Sequence, residues 1–358
     1  MSGQKPNPSP LGIGNRAAVR AYLGLGALLV ALLGAGLLLG PPDTGVTPAG
    51  VRDVLLSHAP VPRFMRPSAT DETVDAIVWQ VRMPRVATAA LIGGLLALAG
   101  VALQGLLMNP LADPYTVGAS SGAAVGAAAA EVAGIGALAG GLAGAATAFV
   151  AAVGASALVY ALARVGGRVS VQTFLLAGVV VGTMLWSLIP LLMVLAGRGD
   201  DIQRIYFYLI GSLQGADWSR VALLTPFAVA CMLVLWATSR ELDLMTLGEE
   251  SAHHLGVPIE AFKRLVLAVG ALATAATVSV GGIIGFVGLV VPHVARRFVG
   301  PEHRRLVPVA ALAGAVLLVA SDTVVRVWLN DMPVGVVTAI VGAPVFCTLI
   351  RRRRASAW

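Results

Sequence analysis

The sequence predicts an all-α integral membrane protein with ten transmembrane helices. Hydrophobic residues make up 57% of the 358 positions and charged residues only 12%, against about 25% charge in ordinary soluble domains. That leaves too little polar surface to coat a globule of this length. The apolar runs are also long and unalternated. A β-barrel shows ~10-residue segments of alternating polarity instead, so the spans are helices. Finally, the basic residues gather in short stretches between the runs. The net charge of +7 therefore reads as an excess of Lys and Arg on one side of a membrane rather than a nucleic-acid footprint. Cys231 and Cys347 both fall in apolar runs without CxxC spacing, which indicates neither a disulfide framework nor a metal site.

In chain order, residues 1–20 carry Lys5, Arg16 and Arg20 and read as a loose tail. Ala21–Gly40 is the first span. It exceeds the ~7–15-residue apolar core of a cleaved signal, and no A-x-A site follows it. Residues 41–83 are polar, with Asp71, Glu72 and Asp75, and read as a loop on the far side with helix starts at Thr47-Pro48 and at Thr70-Asp71-Glu72. Arg82 and Arg85 stand at the mouth of the second span, Arg85–Leu107, which stops at Asn109-Pro110. Asp113-Pro114 reads as an N-cap and first helical residue and opens the third span, Pro114–Gly134. The fourth and fifth spans are Ala137–Leu162 and Val171–Ala196. Tyr206, Phe207 and Tyr208 give Ile202–Leu213 the character of a short helix lying in the interface. The remaining spans are Trp218–Thr238, Ala261–Ser279, Ile283–Ala295, Leu306–Trp328 and Val334–Ile350, followed by a basic tail at residues 351–358. Gly122, Gly126, Gly140, Gly144, Gly178 and Gly182 fall at small-xxx-small spacing, which lets helix backbones approach closely in lipid. An alanine- and glycine-rich composition also scatters such pairs by chance.

An even number of spans puts both termini on one side. That side then holds Arg164, Arg168, Arg240, Lys263, Arg264, Arg296, Arg297, Arg304, Arg305 and Arg351–Arg354, so it is predicted to be cytoplasmic. Residues 239–262 form the most structured cytoplasmic loop. Thr246 and Glu249 fit an S/T-x-x-E capping box, Gly256 suits a helix C′ position, and Pro258 stops the helix. A defined helix there serves either to dock a cytoplasmic partner or to shield span ends. His253-His254 is the one His pair, read as a solvated helix face with metal binding as the alternative. Neither Lys5 nor Lys263 follows a Gly-rich phosphate loop, and no catalytic constellation can be assembled.

Five stretches together carry a resemblance. They are the Arg82-x-Pro84-Arg85 motif, QGLLMNPLADP at 104–114, LGEESAHHLGV at 247–257, GFVGLVVPHVAR at 285–296 and PVGVVTAIVGAP at 333–344. In this order they resemble the FecCD-type permeases, the membrane subunits of binding-protein-dependent ABC importers for iron-siderophores, haem and cobalamin. The resemblance runs from about Gly50 to the C-terminus. It implies a type II importer permease fold working as a homodimer in the bacterial cytoplasmic membrane. Two ATP-binding cassette subunits would lie below it and one extracytoplasmic substrate-binding protein above. The chain itself would bind no cofactor, with ATP and Mg residing in the partner ATPases, and no nucleic acid is involved.

The resemblance also assigns roles. Arg82, Arg85 and Arg326 match arginines that face acidic residues of the binding protein. For Arg326 the alternative is an i,i+4 pair with Asp322; for Arg82 and Arg85 it is snorkelling to lipid headgroups. Asn109 and Leu111, with Ser170, Val171 and Gln172, match the cytoplasmic gate. Thr246, Glu249, Glu250, His254, Leu255 and Gly256 match the helix that couples to the ATPase. The cargo is expected to be an iron chelate, siderophore or haem, with cobalamin as the alternative. An autonomous secondary transporter would need ionisable groups at the membrane midplane, where the predicted spans hold almost none. A membrane enzyme would need a catalytic constellation.

Overall fold

The structure, a computed structural model, describes residues 10–40, 45–62, 67, 70–136 and 138–355. Helix α1 spans Pro10–Leu38 and α2 spans Pro48–His58. A continuous helix follows, built from α3 (Glu72–Asp75), a π-helical stretch (Ala76–Arg82) and α4 (Met83–Leu106). Next come α5 (Ala119–Val132), α6 (Leu142–Ala163), a hairpin of β1 (Arg164–Val165) and β2 (Arg168–Val169), and α7 (Val171–Ala196). The chain continues through α8 (Gly199–Ile210), α9 (Trp218–Ala237), α10 (Ser239–Met245), α11 (Glu249–His254) and α12 (Ile259–Gly281). It ends with α13 (Val287–Val299), α14 (His303–Trp328) and α15 (Val334–Ala355).

Among the described residues, seven helices are long and apolar enough to cross a membrane: α1, α3–α4 together, α6, α7, α9, α12 and α14. The other three predicted spans correspond to the short helices α5 and α13 and to the short apolar stretch Val334–Thr348 of α15. Helix α4 is the axis of the bundle and packs against α14, α12, α9 and α13. It is buried along nearly its whole length, with Ile92, Leu95 and Leu103 fully enclosed. Glycines set how close its neighbours come. A Cβ on Gly93 would collide with the Gly314 carbonyl of α14, and one on Gly100 with the Gly288 carbonyl of α13. These backbones are therefore in van der Waals contact, which is how helices associate in lipid without a hydrophobic driving force between them. Of the predicted small-residue pairs, Gly122 and Gly126 press on Ala151 and Thr147 of α6, while Gly182 meets only the Ser121 hydroxyl.

Several boundaries differ from the sequence expectation. Helix α1 begins at Pro10, inside the predicted tail, and residues 1–9 lie outside the described set. The predicted far-side loop is largely helical. Thr47 Oγ1 caps α2 by accepting from Gly50 N, and Asp71 caps α3 through Thr73 N. The helix that begins at Glu72 then runs straight into α4, so this span starts before Arg85. The predicted third span is broken by Gly118 at φ +82° into a turn at Pro114–Val117 and α5. The predicted eighth span starts late, at Val287. Ile283 N donates to Tyr208 O and Ile284 N to the Tyr115 hydroxyl, which holds this stretch out of helical geometry. Ala137, the predicted start of the fourth span, lies outside the described residues, as do the side chains of Arg351–Arg354 and residues 356–358.

Candidate functional site

The two ends of the bundle carry different chemistry. At the first end, Arg82, Arg85 and Arg326 come together as the motif predicts, but they face inward. Arg82 is 4% exposed and donates through Nη1 to the Leu37 and Leu38 carbonyls at 2.7 and 3.0 Å. Arg85 donates through Nε to Asp322 Oδ1 at 2.9 Å and through Nη2 to Asp331 Oδ1 at 2.5 Å. Arg326 Nε lies 3.0 Å from Asp322 Oδ2, and its Nη1 donates to Gly36 O at 3.0 Å. Asp322 is 1% exposed. The cluster thus fastens α1, α4 and α14 to the turn at Asp331. In this arrangement all three guanidinium groups have partners within the chain, so an outside carboxylate has to share or displace those contacts. For Arg326 the i,i+4 pair with Asp322 is the arrangement found.

At the opposite end, the turn after α4 is built by Asn109. Its Oδ1 accepts from Leu111 N at 3.0 Å, and its carbonyl accepts from Ala112 N at 2.9 Å. Leu111 and the adjacent Met108 are exposed apolar side chains. Ser170 is the N-cap of α7, with Val171 and Gln172 in its first turn. These three line a cavity of about 470 Å³ together with Glu249, Glu260 and Lys263. The structure thus joins the Ser170–Gln172 part of the predicted gate to the predicted coupling segment, whereas Asn109 and Leu111 do not line this cavity.

The loop at residues 239–262 holds two short helices, and α11 is the one that falls in the predicted coupling stretch. The capping box is absent. Gly248 at φ +102° is the residue before α11, Thr246 Oγ1 donates to Asp243 O, and the Glu249 carboxylate is taken by Lys263. The helix starts at Glu249 itself, with Gly248 at the N-cap, so Thr246 lies two residues before the position a capping box requires. Gly256 adopts φ +91°, the left-handed conformation expected just past a helix end. Ala252 is the buried face of α11. Glu250, His254, Leu255 and Gly256 point to solvent, with Leu255 59% exposed and Leu247 similarly bare.

Sequence reasoning missed several residues at this end. Lys263 is 4% exposed and contacts Val169 O, Glu249 and Glu260. The hairpin before Ser170 was legible in principle, because Val165-Gly166-Gly167-Arg168 is a two-residue turn with both glycines at positive φ. Gln104 donates to the carbonyls of Gly288 and Leu289 and accepts from Arg296 at 2.6 Å. Asp243 Oδ1 meets His303 at both its backbone N and its ring Nδ1, which ties α10 to α14. The stretches 104–114 and 285–296, distant in sequence, are therefore one packed unit. Tyr115 extends it by accepting from Ile284 N and donating to Ile284 O.

Comparison with known proteins agrees with this architecture. Residues 27–352 match the FecCD transport family. The chain is 45% identical over 287 residues to the cobalamin import system permease protein BtuC of Halobacterium salinarum, covering 80% of this chain and 76% of that protein. It is 35% identical to the hemin transport system permease protein HmuU of Yersinia pestis, covering 80% and 86% respectively. A solved inward-facing conformation of an ABC transporter of the metal-chelate type superposes with a TM-score of 0.79 at 29% identity, over 92% of this chain and 98% of that one. The chain is a multi-pass membrane protein that belongs to the FecCD transport family of ABC importer permeases.

Proposed function

We propose that two copies of this chain form the membrane channel of an importer that moves a metal chelate into the cytoplasm. Two separate cassette ATPases supply the energy, and an extracytoplasmic binding protein delivers the cargo. The observation that carries the reading is α11. It is a helix outside the apolar spans, flanked by bare Leu247 and Leu255, and tied through Lys263 to the start of α7. Exposed apolar side chains beside an ordered helix mark a contact surface. Arg164, Arg168, Arg240, Arg264, Arg297, Arg304 and Arg305 lie in the segments at this same end, which supports a cytoplasmic location for it and for both termini in an inner membrane.

Helix α7 exposes Val179, Val180, Met184, Leu191 and Val194, and α15 exposes Ile340 and Val341. In the dimer these helices would line a cavity at the symmetry axis. Its wall is apolar, suited to a large ligand held weakly and passed on. An iron chelate, siderophore or haem, fits this wall. A corrinoid fits it equally, and the 45% identity to a cobalamin permease favours it specifically. The test is uptake by proteoliposomes carrying the assembled importer and its binding protein, offered ferric siderophore, haemin and cyanocobalamin in turn. ATP-dependent accumulation of one of them is expected. Accumulation of none, with a demonstrably active ATPase, would refute the cargo class.

A further inference from the structure

Lys263 joins three segments that are far apart in sequence. Its Nζ donates to Val169 O, the last residue of the hairpin, at 2.9 Å, and to Glu249 Oε2, the first residue of α11, at 2.6 Å. Glu260 Oε1, one turn back on α12, is 3.6 Å away. Glu260 Oε2 also accepts from Val169 N at 3.2 Å. Both backbone polar groups of Val169 are therefore held by the first two turns of α12, while the same lysine grips α11. Ser170, the N-cap of α7, is the next residue.

We propose that Lys263 is a positioning residue that locks α11 to the hairpin, so that displacement of α11 is delivered to the first turn of α7 at Ser170–Gln172. This rests on the proposed function, in which α11 meets the ATPase. The physical argument is that the links to Val169 and Glu249 are short and charge-assisted, and that the ammonium group and Val169 are buried. Such bonds are stronger and more directional than neutral ones, and a buried carbonyl left without its donor is penalised. The adjoining cavity of about 470 Å³, lined by Ser170, Val171 and Gln172, gives the α7 terminus space to move. Transmission of this kind requires a connected element that both sites bias.

A purely structural pin would stabilise the fold without affecting how efficiently folded molecules use ATP. The experiment therefore reads cargo moved per ATP hydrolysed by the complete importer in proteoliposomes. In Lys263→Met this ratio should fall roughly tenfold, inside the ~5–150-fold range of typical coupling effects. Lys263→Arg should restore most of it, since a guanidinium donates to the same acceptors. An unchanged ratio in Lys263→Met overturns the inference. A wild-type chain that never binds the ATPase overturns the proposed function instead, so the two failures are distinct.

If Lys263→Met does not assemble, spin labels on the intact lysine background decide. Labels at Arg168→Cys and Glu250→Cys, with Cys347→Ser, should keep one separation with and without ATP. The separation from Glu250→Cys to a label at Leu233→Cys on α9 should change. Divergence of the first pair, or no change in the second, overturns the latch.

Discussion

Replacing Asp322 by alanine tests whether the arginine cluster holds the helices or waits for a partner. Asp322 is 1% exposed and sits between two guanidinium groups, with Arg85 Nε at 2.9 Å and Arg326 Nε at 3.0 Å. Removing one partner of a buried pair is destabilising by ~3–5 kcal/mol, because the remaining charge is uncompensated. The two arginines do not lose equally. Arg85 keeps Asp331, whose side chain is 43% exposed, whereas Arg326 keeps the Gly36 carbonyl. The lower part of that range, about 3 kcal/mol, is therefore expected for Asp322→Ala. Asp322→Asn keeps a carbonyl acceptor for one guanidinium and should lose about 1.5–3 kcal/mol, the contribution of a hydrogen bond to a charged group. Equilibrium unfolding of the purified chain in mixed micelles reads both numbers. A loss below about 0.5 kcal/mol for Asp322→Ala, typical of an ordinary surface change, would refute the internal role and return the arginines to the docking assignment.

Three further outcomes follow from the packing and the loop. Gly93→Ala drives a methyl group into the Gly314 carbonyl and should destabilise by about 1–3 kcal/mol or more, read in the same assay. Tyr115→Phe leaves the Ile284 amide and carbonyl without their side-chain partner; about 1–3 kcal/mol should be lost, with faster hydrogen exchange at the Ile284 amide. Leu255→Glu puts a charge on the 59%-exposed apolar side chain beside α11; co-purification of the ATPase should drop at least ~tenfold, the effect of about 1.4 kcal/mol, while the melting temperature of the isolated permease stays unchanged.

Much of the fold was legible because a run of ~20 apolar residues has one stable solution in lipid, and because caps such as Thr47 and Asp71 are local signals. The places where the sequence misled have specific causes. Thr246 and Glu249 satisfied a capping pattern, but the helix starts at Glu249 behind a Gly248 N-cap, and Lys263, fourteen residues on, takes the Glu249 carboxylate. Ile283 and Ile284 looked helical until Tyr208 and Tyr115 claimed their amides from elsewhere in the chain. Arg82, Arg85 and Arg326 carry no sequence signal for the direction of their guanidinium groups, which depends on where Asp322, Asp331 and the end of α1 lie. Val169, beside the predicted gate segment at Ser170–Gln172, and Lys263, which holds Glu249, are 94 residues apart in sequence, so no spacing rule connects them.

The most direct test of the account is cargo uptake by liposomes carrying the permease and its binding protein, with and without the cassette subunits. Uptake only when the cassettes and ATP are present is the predicted result. Uptake that proceeds at the same rate with the cassettes omitted would contradict it.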